Sequence, residues 1–246
     1  MKTALITGAN KGIGFETARQ LLQKGFFVFI GSRNLQNGLD AVAQLKSAGL
    51  TNVAAVALDV TDPNAVKTAH AEIAKKTAVL DVLINNAGIN GGSAPYTVLE
   101  ATNAEYLAAF QTNIIGAANV TRTFIDLLKK AAEPRIVNVS TSVASLSLQS
   151  NPEWPAYHYA KYGVYAASKA ALNMFTIHLA YELRDTNIKV NAVCPGLTKT
   201  DFTFFNGGDV STAAERIIRY ALIDRNGPTG KFFSEETNPE TGEITW

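Results

Sequence analysis

The sequence predicts an α/β fold: one doubly wound parallel sheet of about seven strands, with helices on both faces. Three observations predict it. Short apolar runs alternate with stretches of helical spacing along the chain, the pattern of a parallel sheet covered on both sides. A glycine-rich turn separates the first run from the first helical stretch. No repeat, low-complexity tract or linker interrupts the alternation, and 246 residues suit one domain, 1–246, with a full core.

The elements follow in order. Residues 2–7 are a short strand with Ala4, Leu5 and Ile6 apolar, and 13–24 a helix on which Ala18, Leu21 and Leu22 share a face. Phe26 to Gly31 form a second strand before a helix over 35–48. Val53 to Leu58 form a third, and Pro63 opens a helix reaching 76. A fourth strand at 80–85 precedes one long helix over 101–130. The fifth strand, 134–141, leads through a loop rich in Ser and Pro to a helix over 164–184 with many small residues. Strand 188–194, helix 211–222 and a last short strand at 231–233 complete the series.

Composition narrows the class. Hydrophobic content is 47% and charged content 17%, as in a folded globular protein. A net charge of +1 argues against a nucleic-acid partner held by bulk electrostatics. The single cysteine, Cys194, lies in an apolar strand pattern and reads as a packed thiol. No apolar run is long enough to span a bilayer, and a strand starting at Lys2 leaves no room for a signal peptide. A cytoplasmic location without membrane attachment is expected. No metal site is expected.

Thr7-Gly8-Ala9-Asn10-Lys11-Gly12-Ile13-Gly14 follows the first strand. Gly8 allows the tight turn, Gly12 lets backbone approach a pyrophosphate, and Gly14 lets the helix pack closely on the sheet. The free N–H groups of the helix start then face phosphates. Far downstream, Tyr165 and Lys169 lie four apart on the small-residue helix, so they share one face. A phenol ionises near pH ~10, and a nearby ammonium favours the phenolate. Such a Tyr can give a proton to a carbonyl oxygen or take one from an alcohol. Tyr157 and Lys161 repeat the spacing but fall in the loop after Pro155.

The spacing T-G-x-x-x-G-x-G, with Tyr-Ala-Ala-Ser-Lys downstream, resembles the short-chain dehydrogenase/reductase family and, within it, the NADPH-dependent carbonyl reductases. The resemblance covers nearly the whole chain and implies a Rossmann-type domain. It implies that Asp59 and Val60 lie by the adenine, although Asp59 could equally cap the helix after Pro63. It implies that Asn86, Ala87 and Gly88, of Asn-Asn-Ala-Gly, pass beneath the adenosine ribose, and that Pro195, Gly196, Thr198 and Thr200 border the nicotinamide. Lys169 would also bind the nicotinamide ribose, and Asn113 would complete a proton relay. A hydroxyl at the end of the fifth strand would bond the substrate oxygen. Strand register favours Thr141, with Ser142 the competitor.

Cofactor preference is read from the end of the second strand. Sites that prefer NAD carry a carboxylate there; this chain has Arg33, with Lys11 in the glycine loop. Two cations suit the 2′-phosphate of NADP(H). The expected function is therefore reduction of a small-molecule ketone or aldehyde by NADPH. The alternatives are the same chemistry run oxidatively on an alcohol, or a non-catalytic NADP(H) sensor. Phe202, Phe204 and Phe205 after Thr200 suggest an apolar or aromatic substrate. Aromatics in the enlarged loop over 145–163 could wall the pocket or pack on the surface. Monomer and homo-oligomer both remain open.

Overall fold

The structure is a computed structural model that describes residues 1–92 and 97–246. Seven strands form one sheet: β1 (Thr3–Thr7), β2 (Phe27–Ser32), β3 (Val53–Ala57), β4 (Val82–Asn85), β5 (Arg135–Val139), β6 (Lys189–Val193) and β7 (Lys231–Phe233). Their order is β3-β2-β1-β4-β5-β6-β7, and every pairing is parallel. The chain reverses direction across the sheet between β1 and β4, which opens a crevice beyond their carboxyl ends.

The helices are α1 (Gly12–Gln23), α2 (Leu35–Ser47), α3 (Pro63–Ala74), α4 (Asn103–Phe110), α5 (Ala117–Leu128), α6 (Leu146–Gln149), α7 (Gly163–Glu182) and α8 (Val210–Ala221). One face of the sheet buries Ala4, Ile6 and Ile84 against α1, α2 and α8 through Leu21, Leu45 and Ile217. The other buries Leu5, Leu83 and Ile136 against α3, α5 and the end of α7 through Ile73, Phe124 and Ala180. Neighbours in one strand thus serve opposite layers, and β1 is buried along its whole length. Among the described residues, no helix is long and apolar enough to cross a membrane.

Three local features differ from expectation. The helix expected over 101–130 is interrupted by a π-turn, Gln111–Gly116, joining α4 to α5. Strand β5 stops at Val139, two residues early, because the chain turns into a 3-10 helix at Ser142–Ala144. The cap of α3 is Asp62, which accepts the Asn64 N–H at 2.8 Å, while Asp59 folds onto Thr61 at 2.9 Å. Asp59 therefore does not cap that helix.

Candidate active site

The crevice is built first from β1 and α1. Gly8 and Gly12 have φ of +63° and +58°, which a side chain strongly disfavours. A Cβ on Gly14 would fall 2.6 Å from Asn86 Nδ2 and 2.9 Å from the Gly8 carbonyl oxygen. The three glycines leave a backbone cradle that side chains would fill. Lys11 stands at the N-cap of α1 without a side-chain cap bond, and no acid occupies the first turn. The leading N–H groups near Ile13 are therefore free for an anion. Asn86 Nδ2 donates to the Thr7 and Gly8 carbonyls at 2.9 and 3.1 Å, and Thr7 Oγ1 accepts the Asn86 and Ala87 N–H groups. Asn86 and Ala87 thus tie the end of β4 to the cradle, and Asn10 is half-buried in the turn between Gly8 and Gly12.

Arg33 is exposed just beyond β2, with no ion pair among the described residues. Lys11 pairs with Asp201 of the segment after Thr200, a partner that its own neighbourhood in the sequence does not announce. Asp59 uses Oδ1 on Thr61, and Val60 packs where a Cβ on Gly116 would fall, 2.6 Å from Val60 Cγ2.

The proton-transfer group gathers around Gly88. A Cβ there would lie 3.2 Å from Asn113 Oδ1 and 3.4 Å from Lys169 Nζ. A side chain at 88 would press on both groups. Asn113 accepts the Ile89 N–H, and its Nδ2 donates to the Ile89 carbonyl and to Ser168 Oγ, each at 2.9 Å. The π-turn turns Asn113 inward to make these bonds. Lys169 is 3% exposed and donates to the Val139 carbonyl at 2.7 Å. Its Nζ lies 5.9 Å from the centre of the Tyr165 ring.

Burial dominates the electrostatics. It lowers the Lys169 ammonium to about 8. It pushes the Tyr165 phenol well above its ordinary value, with the nearby Cys194 thiol adding to the rise. Tyr165 is only partly covered as a residue, so the rise belongs to the depth of its hydroxyl. Burial sets the direction at Tyr165, against the pull expected of the neighbouring Lys169 ammonium.

The two hydroxyls after β5 differ. Thr141 Oγ1 accepts the Val143 N–H at 3.3 Å and caps the 3-10 helix. Ser142 is buried and its hydroxyl has no protein partner among the described residues. Ser140 is spent on Asn173 at 2.6 Å. Tyr157 and Lys161 lie in the loop, with the ammonium 3.8 Å from the ring centre and bonded to Gln149. Lys161, Leu146 and Gln149 line a groove of about 510 Å³ with Gly163, Ala166 and Ala170. That face of α7 points away from Tyr165.

Beyond β6, Pro195–Thr200 runs over the crevice. Thr198 is 2% exposed and bonds the Gly196 carbonyl at 3.0 Å. Thr200 lies against the cradle, its Cγ2 3.5 Å from where a Cβ on Gly12 would stand. The segment that follows closes on itself, with Lys199 N–H bonded to the Gly208 carbonyl and Gly208 N–H to the Leu197 carbonyl. Within it, Phe202 sits on Tyr165, ring centres 5.4 Å apart. Phe204 and Phe205 are exposed with φ of 52° and 60°, a strained conformation for bulky residues.

Comparison with known proteins agrees with this geometry. The profile of the short chain dehydrogenase family matches residues 2–207. The chain is 31% identical to salutaridine reductase of Papaver bracteatum, over 95% of this chain and 94% of that protein. It is 33% identical to (-)-isopiperitenone reductase of Mentha piperita, over 95% and 96%. An NADPH-bound carbonyl reductase from chicken fatty liver superposes with a TM-score of 0.83 at 27% identity, over 100% of this chain and 99% of that one. Sheet order, glycine cradle and the Tyr165–Lys169 pair, together with these likenesses, place the chain in the short-chain dehydrogenase family.

Proposed function

We propose that the protein is an NADPH-dependent reductase of ketones or aldehydes, with Tyr165 as proton donor. The observation that carries this is the meeting of Lys169 and Asn113 at Gly88, with Tyr165 next to Lys169, beside the glycine cradle. The residues present fit a dinucleotide. Gly8, Asn10, Gly12, Ile13 and Gly14 would hold the pyrophosphate, and Arg33 with Lys11 the 2′-phosphate. Asp59 and Val60 would border the adenine, Asn86, Ala87 and Gly88 its ribose, and Pro195, Gly196, Thr198 and Thr200 the nicotinamide. When bound, NADPH supplies the hydride.

Tyr165 keeps its proton through neutral pH and hands it to the substrate oxygen. Lys169 stays held by Val139 beside the phenol, stabilising the charge left on it. Asn113 fixes the Ile89 backbone and Ser168, and completes the relay to Lys169. We assign the second hydrogen bond on the substrate oxygen to Ser142, a buried residue whose hydroxyl has no protein partner among the described residues, while Thr141 Oγ1 accepts the Val143 N–H. Phe202 on Tyr165 supports a substrate with an apolar face next to its carbonyl.

A panel of carbonyl compounds, with NADPH consumption followed by absorbance, tests this. Tyr165→Phe should abolish turnover and keep NADPH binding. Ser142→Ala should lower turnover by roughly 10²–10³-fold, with Thr141→Val near wild type. Turnover surviving in Tyr165→Phe would overturn the assignment.

A further inference from the structure

The loop Pro195–Thr200 is gripped from outside by two charged side chains that the chemistry itself does not call for. Arg216, on α8, donates from Nη1 to the Pro195 carbonyl at 2.8 Å. Glu236, just beyond β7, accepts the Leu197 N–H on Oε2 at 3.2 Å. Gly196 stands between these bonds with φ of +89°. A Cβ built there would fall 2.3 Å from Arg216 Nη1 and 3.1 Å from Glu236 Oε1. Glycine suits the backbone angle, and the Arg216 guanidinium lies where a side chain at 196 would go.

We propose that Arg216 and Glu236 are positioning residues, a clasp that sets the backbone of Pro195–Thr198 against the nicotinamide end of the cofactor. This rests on assigning that loop to the nicotinamide, as above. The hydrogen bonds show how the clasp acts. Outward bonds engage the Pro195 carbonyl, the Leu197 N–H and carbonyl, and the Lys199 N–H. The Thr198 N–H has no protein acceptor among the described residues, so it is free to meet an amide oxygen. Thr198 Oγ1 is bonded to the Gly196 carbonyl, so a shift at Gly196 is passed directly to Thr198. Two charge-assisted bonds to neighbouring peptide groups limit that shift.

Two ligands separate this role from general support of the fold. NADPH spans the whole site, whereas 2′,5′-ADP carries adenosine with its 2′- and 5′-phosphates and lacks the nicotinamide nucleotide. Arg216→Met, which keeps the stem packed, and Glu236→Ala should each weaken NADPH roughly five- to tenfold, the scale of one lost hydrogen bond. Binding of 2′,5′-ADP, measured by calorimetry, should be unchanged. Glu236→Gln retains an acceptor and should bind NADPH as the wild type does. The double variant should lose less than the product of the two single losses, because both bonds hold one loop. Equal weakening of both ligands, unchanged NADPH affinity in the single variants, or a Glu236→Gln as weak as Glu236→Ala would each overturn the clasp. A wild-type protein that binds NADPH no better than 2′,5′-ADP would remove the nicotinamide assignment, and the clasp with it.

Discussion

One ammonium, that of Lys11, has two claimants. The ion pair with Asp201 is exposed on both sides, and Lys11 holds the Asp201 carboxyl below the usual range by hydrogen bond and charge. If Lys11 also serves the 2′-phosphate, Asp201 competes with the cofactor. Asp201→Asn should tighten NADPH roughly two- to fivefold, the scale of a surface ion pair. NADH should be unaffected, and the gain should shrink at high salt. Fluorescence titration at two ionic strengths checks this; an unchanged NADPH affinity would leave the phosphate to Arg33. The two cations and the missing acid after β2 were legible in the sequence. The competing acid was not, because it lies 190 residues away and returns only through the closed segment after β6. Thr141 and Ser142 show the same limit. Register favoured Thr141 only while the strand was expected to reach it, whereas the chain leaves the strand at Val139 and Thr141 caps the 3-10 turn.

Among the elements, the strands were readable to within one or two residues, because strands covered on both faces are apolar throughout and have little other use for such runs. Helix α1 was readable from its spacing, and its glycines carry the sharpest prediction at this scale. Gly14 lets α1 start tight against the Gly8–Ala9 turn, with Asn86 Nδ2 where a methyl would go. Gly14→Ala should therefore push the helix off that turn or displace Asn86 from the Thr7 and Gly8 carbonyls. A loss of about 1–3 kcal/mol is expected from overpacking, with a parallel loss of NADPH affinity. Chemical denaturation and ligand titration measure the two. A stable variant with intact binding would mean that the cradle has slack. The short α6 and the 3-10 turns were not legible, since they rest on Ser and Thr caps that read equally as plain turns.

The molecule as a whole accepts a cost at its centre. Lys169 has a folded pKa of about 8 against ~10.4 when exposed. Below pH 8 the folded chain must bury the charge, so its stability is reduced. Between 8 and ~10.4 the unfolded chain holds a proton that the folded chain has lost, so stability rises with pH. Tyr165 acts in the opposite sense: above ~10 the unfolded chain loses a proton that the folded one keeps, and stability falls. Lys169→Met should therefore be inactive yet more stable than wild type at pH 7. The expected gain is roughly 1–3 kcal/mol, reduced because the Val139 carbonyl loses its donor. The gain should fade as pH approaches 10. Denaturation at several pH values tests this, and a destabilised Lys169→Met at pH 7 would contradict it. The π-turn ahead of α5 carries a different consequence. A π-turn holds one residue more than a regular turn, so α4 and α5 run out of phase by about 100°. If one residue were lost from 111–116, a regular helix could close. It would then roll α4 about its axis, carrying buried Ala109 off the core and moving exposed Leu107 from its place. If α4 instead kept its seat, Asn113 would leave Ile89 and Ser168. The count of residues in this helix is thus as strictly held as the identity of Asn113 itself.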